Sequence, residues 1–377
     1  MYPENQNPQQ RDLRLDFFRG LALITIFINH VPGTVFETWT SRNFGFSDAA
    51  EAFVLMSGIA AGLAYTKATS ANLIEALKKV SRRAFKLYWV HLLISSLALL
   101  AVYSLTMAFS GEADLSANNM NIIQTHTVQT LVGLIFLTHQ FGYLNILPLY
   151  CILLLLCPLF IKFAQKSTML ALSMSIAIWL TVGITQVNLP NYPRDGEWFL
   201  NPISWQLIFM IGIIIGVRKK EGRVAFPYHK LVYLSCVAYL MGACAVVQLQ
   251  LWNLVVFFNV PEVIGQYSKT YAALPRLLHI CALTYVVVHF SFSNTLANFR
   301  GSKIVVMLGS NSLPVFATGS VLCIIAQVIK NTYPFTTLQD AILLTSGLSI
   351  QILVAFYLSQ GAPRKGEISK AALLGSA

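Results

Sequence analysis

Long apolar runs recur along the whole of this 377-residue chain. Each run approaches the ~20 residues that an α-helix needs to cross the hydrocarbon core of a bilayer. Hydrophobic residues make up 56% of the chain and charged residues only 11%, which is far from the composition of a soluble globular domain. We predict an all-α integral membrane protein with about ten transmembrane helices. The predicted spans are 15–33, 49–67, 87–109, 143–163, 168–187, 203–217, 229–250, 275–293, 304–329 and 336–358.

The segments outside these runs predict a simple organisation. Residues 126–141 are apolar but too short to span, so they favour a re-entrant or interfacial helix. Residues 1–10 are polar and contain proline, which indicates a flexible cytoplasmic leader. Because a full span follows without a small-residue cleavage site, no cleavable signal peptide is expected. Residues 11–360 are expected to form a single transmembrane domain, followed by a cytoplasmic tail at 361–377.

The distribution of Lys and Arg predicts the orientation. If both termini are cytoplasmic, all but five of the 26 Lys and Arg residues lie on the cytoplasmic side. The net charge of +11 then reflects this bias and anionic lipid at the inner surface rather than nucleic-acid binding. Membrane lipids are therefore expected partners, and a homo-oligomer is compatible with the sequence. The five exceptions are Arg42, Arg194, Lys269, Arg276 and Lys330.

The first predicted span carries Arg19 near its cytoplasmic end and His30 near its outer end. Eleven residues correspond to about 16 Å of helix and to three turns plus ~20°, so the two side chains share a face. Polar groups within an apolar spanning helix point to function. An imidazole, with an ordinary pKa near 6.5, suits a general base.

Two carboxylates open the second span at about the level of His30. Asp48 and Glu51 have the spacing of a capping box, in which Asp48 is the N-cap and Glu51 the third helical residue. Alternatively, one carboxylate orients or polarises His30, as acids commonly do for catalytic imidazoles. The two interpretations are compatible.

Cations cluster in the segment 67–86, which is predicted to be cytoplasmic. Positive-inside topology and lipid headgroups explain such a cluster, and a site for a polyanion such as a nucleotide phosphate is the alternative. The candidates for such a site are Lys79, Arg82, Arg83 and Lys86.

Two outer segments carry candidate substrate contacts. Arg276 and His279 lie one turn apart at the start of the eighth span, where an arginine either snorkels or pairs with an anion. The loop 188–202 and the helix after it hold polar and aromatic groups that suit either an interfacial belt or a sugar. These are Trp198, Asn201, Trp205 and Gln206. The sequence GSNSLP at 309–314 predicts a broken helix that lines a cavity.

Two classes of function compete on these residues alone: a membrane enzyme with His30 as base, and a transporter with an ionisable path. The ionisable groups concentrate in the first, second and eighth spans rather than in two matching halves, which favours the enzyme. No metal is expected, because the histidines lack partners at ligand spacing.

Several motifs resemble a known family. Arg19, ten residues and then His30 resemble the signature of the membrane-bound acyltransferase-three superfamily. Six blocks in order resemble OpgC proteins, which succinylate osmoregulated periplasmic glucans. These blocks are RLDFFRGLALITIFINHV, FSDAAEAFVLMSG, LPLYCILLLLCPL, EWFLNPISWQLIFMIG, LPRLLHICAL and LGSNSLPVFATG. Superfamily relatives often carry Arg-x-x-Arg after the second span, whereas this chain has Lys79-x-x-Arg82 and Arg83-x-x-Lys86.

The resemblance implies a succinyltransferase of the bacterial inner membrane. Succinyl-CoA, or alternatively acetyl-CoA, would be the cytoplasmic donor, and a periplasmic glucan the acceptor. His30 would be the base, with Asp48 or Glu51 holding its tautomer, and Arg276 would bind the succinyl carboxylate. Arg19 and the cations at 79–86 would meet CoA. Direct transfer and an acyl-histidine intermediate both stay open. The alternatives are an O-acetyltransferase acting on another envelope polysaccharide and a transporter of acyl groups or glycans.

Overall fold

The computed structural model describes residues 13–108, 118–254, 256, 259–290, 295–296 and 299–360. The predicted leader at 1–10 and tail at 361–377 lie outside the described residues. The secondary structure of the described part is helical, and its only β-type pairing is an isolated bridge between Pro190 and Glu197. The prediction of an all-α protein is confirmed.

Fourteen α-helices are numbered here in chain order over the described ranges. They are α1 Leu13–Asn29, α2 Ala49–Ala71, α3 Leu73–Ala108, α4 Ile122–Thr125, α5 Thr127–Ile135, α6 Ile146–Lys166, α7 Thr168–Thr185, α8 Pro202–Lys220, α9 Lys230–Gln248, α10 Glu262–Gly265, α11 Leu274–His289, α12 Lys303–Ser310, α13 Ser312–Thr332 and α14 Thr337–Gln360. Short 3₁₀ turns cover Val35–Trp39, Ser41–Asn43, Trp252–Leu254 and Arg300–Ser302.

Eight of the described helices are long and apolar enough to cross a membrane, which makes the chain a multi-pass membrane protein. They are α2, α3, α6, α7, α8, α9, α13 and α14. Helices α1 and α11, predicted as spans, have only 17 and 16 residues, so the number ten stays a prediction. The apolar segment near 126–141 forms the nine-residue helix α5, which is too short to span.

Two predicted spans differ from their observed helices. Helix α3 has 36 residues and starts at Leu73, so it includes most of the cationic segment that is predicted to lie on the cytoplasmic side of the span 87–109. That segment continues the helix because Lys, Arg, Leu and Ala are all strong helix formers. The ninth span is broken at Asn311 into α12 and α13, which confirms the break predicted from GSNSLP.

Helices α2 and α8 cross through paired glycines. A Cβ on Gly58 would overlap the carbonyl oxygen of Phe209, and a Cβ on Gly212 would overlap that of Leu55. Small residues four apart let membrane helices approach closely and gain van der Waals contact. This crossing fixes the N-terminal turn of α2, where Asp48 and Glu51 lie.

Helix α12 packs against the first turns of α1, because the missing side chain of Gly309 makes room for the carbonyl of Asp16. The same short helix meets the last turn of α14, where the hydroxyl of Ser359 lies 3.8 Å from the sulfur of Met307. The described chain therefore starts and ends at the same end of the bundle. We call this the inner end and the opposite one the outer end.

Candidate active site

His30 directly follows α1 at the outer end. Its backbone amide donates to the carbonyls of Ile26 and Phe27, and its own carbonyl accepts from the Gln327 amide at 2.6 Å. The imidazole packs on the Tyr143 ring with the centroids 4.0 Å apart. A cavity of only about 20 Å³, enough for one water, lies beside these two rings. Helices α1 and α13 thus hold the imidazole in a fixed place.

Asp48 and Glu51 form the predicted capping box. The Asp48 side chain accepts from the amide of Ala50, and Glu51 accepts from the backbone amide of Asp48 at 3.0 Å. In the described residues, no hydrogen bond joins either carboxylate to the His30 ring. The alternative interpretation, that one of them orients His30 directly, therefore stays a prediction.

Both carboxylates also bind cations brought in from distant parts of the chain. The Arg276 guanidinium lies 2.5 Å from the fully buried Glu51 and 3.4 Å from Asp48. Lys269 Nζ lies 2.5 Å from Asp48 Oδ2 and so joins the same network. Buried ion pairs persist only where geometry and additional hydrogen bonds offset desolvation. This four-residue network, which we call the ion-pair cluster, ties α2 to the start of α11.

Sequence reasoning missed Lys269. Its ammonium lies 5.9 Å above the Phe199 ring, and it lies within electrostatic reach of the His30 imidazole. Its side chain is 28% exposed, against 12% for Arg276. The available signal was that Lys269 is one of the few cations expected on the outer side.

His279 contacts the loop before α2 rather than His30. Its Nδ1 lies 2.7 Å from the Ser47 hydroxyl, and its ring packs so closely on Gly45 that a Cβ there would overlap Nε2. The side chain is buried. The structure therefore brings His279 next to the ion-pair cluster, in the wall of the same cavity as Asp48.

A polar cavity of about 490 Å³ opens at the outer end next to these groups. Gly142, which precedes Tyr143, lines it, and so do Ser268 and Thr270, the two neighbours of Lys269. The other walls consist of amides, carboxylates and aromatic rings. These include Asn119, Asn145, Asn191, Glu197, Trp198 and Phe199. We call this space the outer cavity.

One buried donor at the outer cavity, Trp198 Nε1, lacks a partner within the part of the chain that the structure describes. Such atoms are costly unless a ligand or water satisfies them. The nearby Tyr271 hydroxyl donates to the Gln186 carbonyl at 2.8 Å and lies 3.2 Å from a Glu197 carboxylate oxygen, and burial together with that carboxylate raises the pKa of Tyr271 to about 12. The phenol therefore stays a donor at neutral pH.

The other predicted sugar contacts are buried in the bundle. Asn201 caps α8, since its side chain accepts from the amide of Ile203. Trp205 is fully buried and donates to the Lys269 carbonyl at 3.0 Å, while Gln206 accepts from the Ser175 hydroxyl. Their role as substrate contacts stays a prediction that this placement does not favour. Trp205 instead helps to hold the loop that carries Lys269.

The predicted CoA contacts lie at the inner end, with different exposures. Arg19 is largely buried and lies 3.5 Å from Asp16, while Arg83 is half-buried. Arg19 and Arg83 both lie within electrostatic reach of the buried Tyr150 hydroxyl. Lys79, Arg82 and Lys86 are exposed, and Lys79 pairs with Glu75. The sequence pattern correctly grouped these cations at one end but could not separate inward from outward ones.

Among the described residues, no group of three or more His, Cys, Asp or Glu side chains has the arrangement of a metal site.

Comparison with known proteins gives one match. No curated protein and no solved structure matches the chain. The model of the OpgC protein family matches residues 11–362, nearly the whole chain. The OpgC family implies an acyltransferase that works in a membrane. Because the match covers nearly the whole chain, the chain belongs to the OpgC family.

Proposed function

We propose that this protein transfers the succinyl group of cytoplasmic succinyl-CoA to hydroxyl groups of a periplasmic glucan. It would act in the bacterial inner membrane, with ten spans and both termini in the cytoplasm. Acetyl-CoA is a second candidate donor. The observation that carries the proposal is the outer cavity, which has the unpartnered donor Trp198 Nε1 and is lined by Gly142, the residue before the Tyr143 ring that packs on His30.

The outer cavity suits a sugar. Carbohydrates present apolar ring faces together with hydroxyl groups, and the cavity offers Trp198 and Phe199 next to amides and carboxylates. A hydroxyl oxygen accepts hydrogen bonds, so a sugar hydroxyl would satisfy Trp198 Nε1. A glucan chain is therefore the acceptor that fits best.

His30 is the proposed general base. It removes the proton from a glucan hydroxyl as that oxygen attacks the thioester carbonyl carbon. The new C–O bond forms an ester, the C–S bond breaks, and the departing thiolate takes the proton to give free CoA. Direct transfer and a route through an acyl-histidine intermediate give the same overall reaction. Asp48 and Lys269 act on the imidazole through their charges.

The cations have two proposed tasks. Those at the inner end attract the polyanionic donor to the cytoplasmic face: Arg19, Lys79, Arg82, Arg83 and Lys86. At the outer end, Arg276 and Lys269 stabilise the carboxylate of the succinyl group by charge-assisted hydrogen bonds.

The test is CoA release by purified protein in nanodiscs, from succinyl-CoA and from acetyl-CoA, with and without periplasmic glucan. We expect glucan-dependent release that favours succinyl-CoA. His30→Ala should lower the rate by about 10²–10⁴-fold, the usual contribution of a general base.

Three outcomes would contradict the proposal. Near-normal activity of folded His30→Ala removes His30 as base. A product that carries only acetyl groups would indicate an O-acetyltransferase acting on another envelope polysaccharide. Release with neither donor, from folded protein and authentic glucan, would favour a transporter of acyl groups or glycans.

A further inference from the structure

The largest cavity described here does not lie on the face of α1 that carries Arg19 and His30. It is a cleft of about 1550 Å³ between α1, α2, α11 and the end of α8. Helix α1 lines it with Arg14, Phe18, Leu21 and Thr25, which follow one another at helical spacing on a face about 140° around the helix from Arg19 and His30. By contrast, the space beside His30 holds about one water. The cleft is therefore the roomy path through this part of the bundle.

The cleft runs through most of the bundle's depth. The α2 positions that line it extend from Asp48 to Leu63, which corresponds to ~22 Å along the helix. Its middle is apolar, with side chains such as Leu55, Ile59 and Leu283. The cleft exists because α11 packs mainly on the peripheral helix α9 and so stands off from the first two helices.

The two ends of the cleft differ in chemistry. Three cations from two separate elements meet at the inner end: Arg14 from the start of α1, and Lys219 and Arg223 from the end of α8 and its turn. Asp48, with Ser47 and His279 beside it, lines the outer end. A cation at a helix C-terminus also stabilises that helix, as Lys219 does for α8.

The outer end of the cleft meets the outer cavity at one ion pair. Asp48 lines the cleft, its partner Lys269 lies 2.5 Å away, and the neighbours of Lys269 line the outer cavity. A group at the outer end of the cleft is thus separated from the outer cavity by the Asp48–Lys269 contact. A group that is transferred from the cleft to an acceptor in the outer cavity must pass this contact.

We propose that this cleft is the binding site of the acyl-CoA donor, an inference that rests on the proposed function. The phosphates bind Arg14, Lys219 and Arg223 at the inner end. The extended pantetheine arm lies along the apolar wall, and the thioester reaches Asp48. A phospholipid matches the apolar wall and the cations but gives no reason for a polar outer end joined to a second cavity.

The test measures binding of CoA by calorimetry, in nanodiscs of zwitterionic lipid. The double variant Arg14→Gln/Lys219→Gln should bind CoA at least tenfold more weakly, since it loses two charge-assisted contacts with the phosphates. The matched control is Lys162→Gln/Lys166→Gln, which removes two cations from the last turns of α6 and should bind CoA like wild type. Melting curves establish that both variants fold.

A second variant fills the cleft without changing charge. Thr25→Phe should raise the KM for succinyl-CoA and weaken CoA binding. With succinyl-pantetheine, which lacks the nucleotide, the KM should rise in Thr25→Phe but not in the Arg14/Lys219 variant. This difference separates phosphate recognition from general damage.

Each remaining outcome is decisive. Equal CoA affinity in wild type and the Arg14/Lys219 variant overturns the donor site while the proposed function stands. Equal weakening in the Lys162/Lys166 variant also overturns it, because it would reflect only the charge of the inner surface. If anionic lipid stabilises the protein and CoA does not, and if the Arg14/Lys219 variant loses this stabilisation, the cleft is a lipid site and not the donor site. Absence of CoA binding by wild type contradicts the proposed function itself.

Discussion

At the scale of single residues, the ion-pair cluster contains a local feature that the sequence predicts and long-range contacts that it does not. The capping box of Asp48 and Glu51 is local, so a spacing of three residues was enough to predict it. The pairing of these carboxylates with Lys269 and Arg276 joins positions more than 200 residues apart. No periodicity encodes such a contact, and for this reason Lys269 was missed.

Lys269 offers a test of donor recognition. Because its ammonium is the more exposed of the two outer cations, Lys269→Met should lower kcat/KM for succinyl-CoA about tenfold, equivalent to 1.4 kcal/mol. Acetyl transfer should change little, since acetyl has no carboxylate. Lys269→Arg should keep the preference for succinyl-CoA.

Lys330 is the matched control for that variant. Its ammonium also lies 2.5 Å from an aspartate, Asp340, and 6.0 Å from an aromatic centroid, Phe335. Lys330→Met should leave the ratio of succinyl to acetyl transfer unchanged. Equal losses with both donors in Lys269→Met would exclude Lys269 from recognising the carboxylate.

At the scale of helices, the sequence predicted the existence of most spans better than their ends. Hydropathy marks where a helix enters lipid, but α3 continues as a helix beyond its apolar part, because charged helix formers extend it. The break at Asn311 was predictable because Gly, Ser, Asn and Pro interrupt the apolar pattern locally. The pairing of α2 with α8 required the three-dimensional structure, since small residues also occur away from crossings.

Gly58 tests the importance of that crossing. Gly58→Ala places a Cβ against the Phe209 carbonyl, so α2 must shift and the free energy of unfolding should fall by about 1–3 kcal/mol. The measurement is the midpoint of thermal unfolding in detergent. Gly242→Ala in α9 is the control, because nothing lies within 4 Å of the added methyl. Equal midpoints for the two variants would show that the close approach is unimportant.

At the scale of the whole molecule, the proposed function depends on the helical fold, on the outer cavity and the cleft, and on the direction of transfer across the membrane. Composition and apolar runs were sufficient to predict a multi-pass helical membrane protein. They were insufficient to predict the cavities, which arise where α9 and α11 stand off from the bundle and where outer loops meet. The shared face of Arg19 and His30 on one helix suggested a path, yet the roomy cleft follows a different face of that helix.

The central claim is that a donor on one side of the membrane acylates an acceptor on the other. The most direct measurement uses sealed proteoliposomes with glucan enclosed and succinyl-CoA added outside, and the reverse arrangement, with the insertion direction established by protease. We predict succinylated glucan inside vesicles whose inner-end cations face outward, together with free CoA outside. Product formed only when donor and acceptor share one compartment would contradict transfer through the bundle.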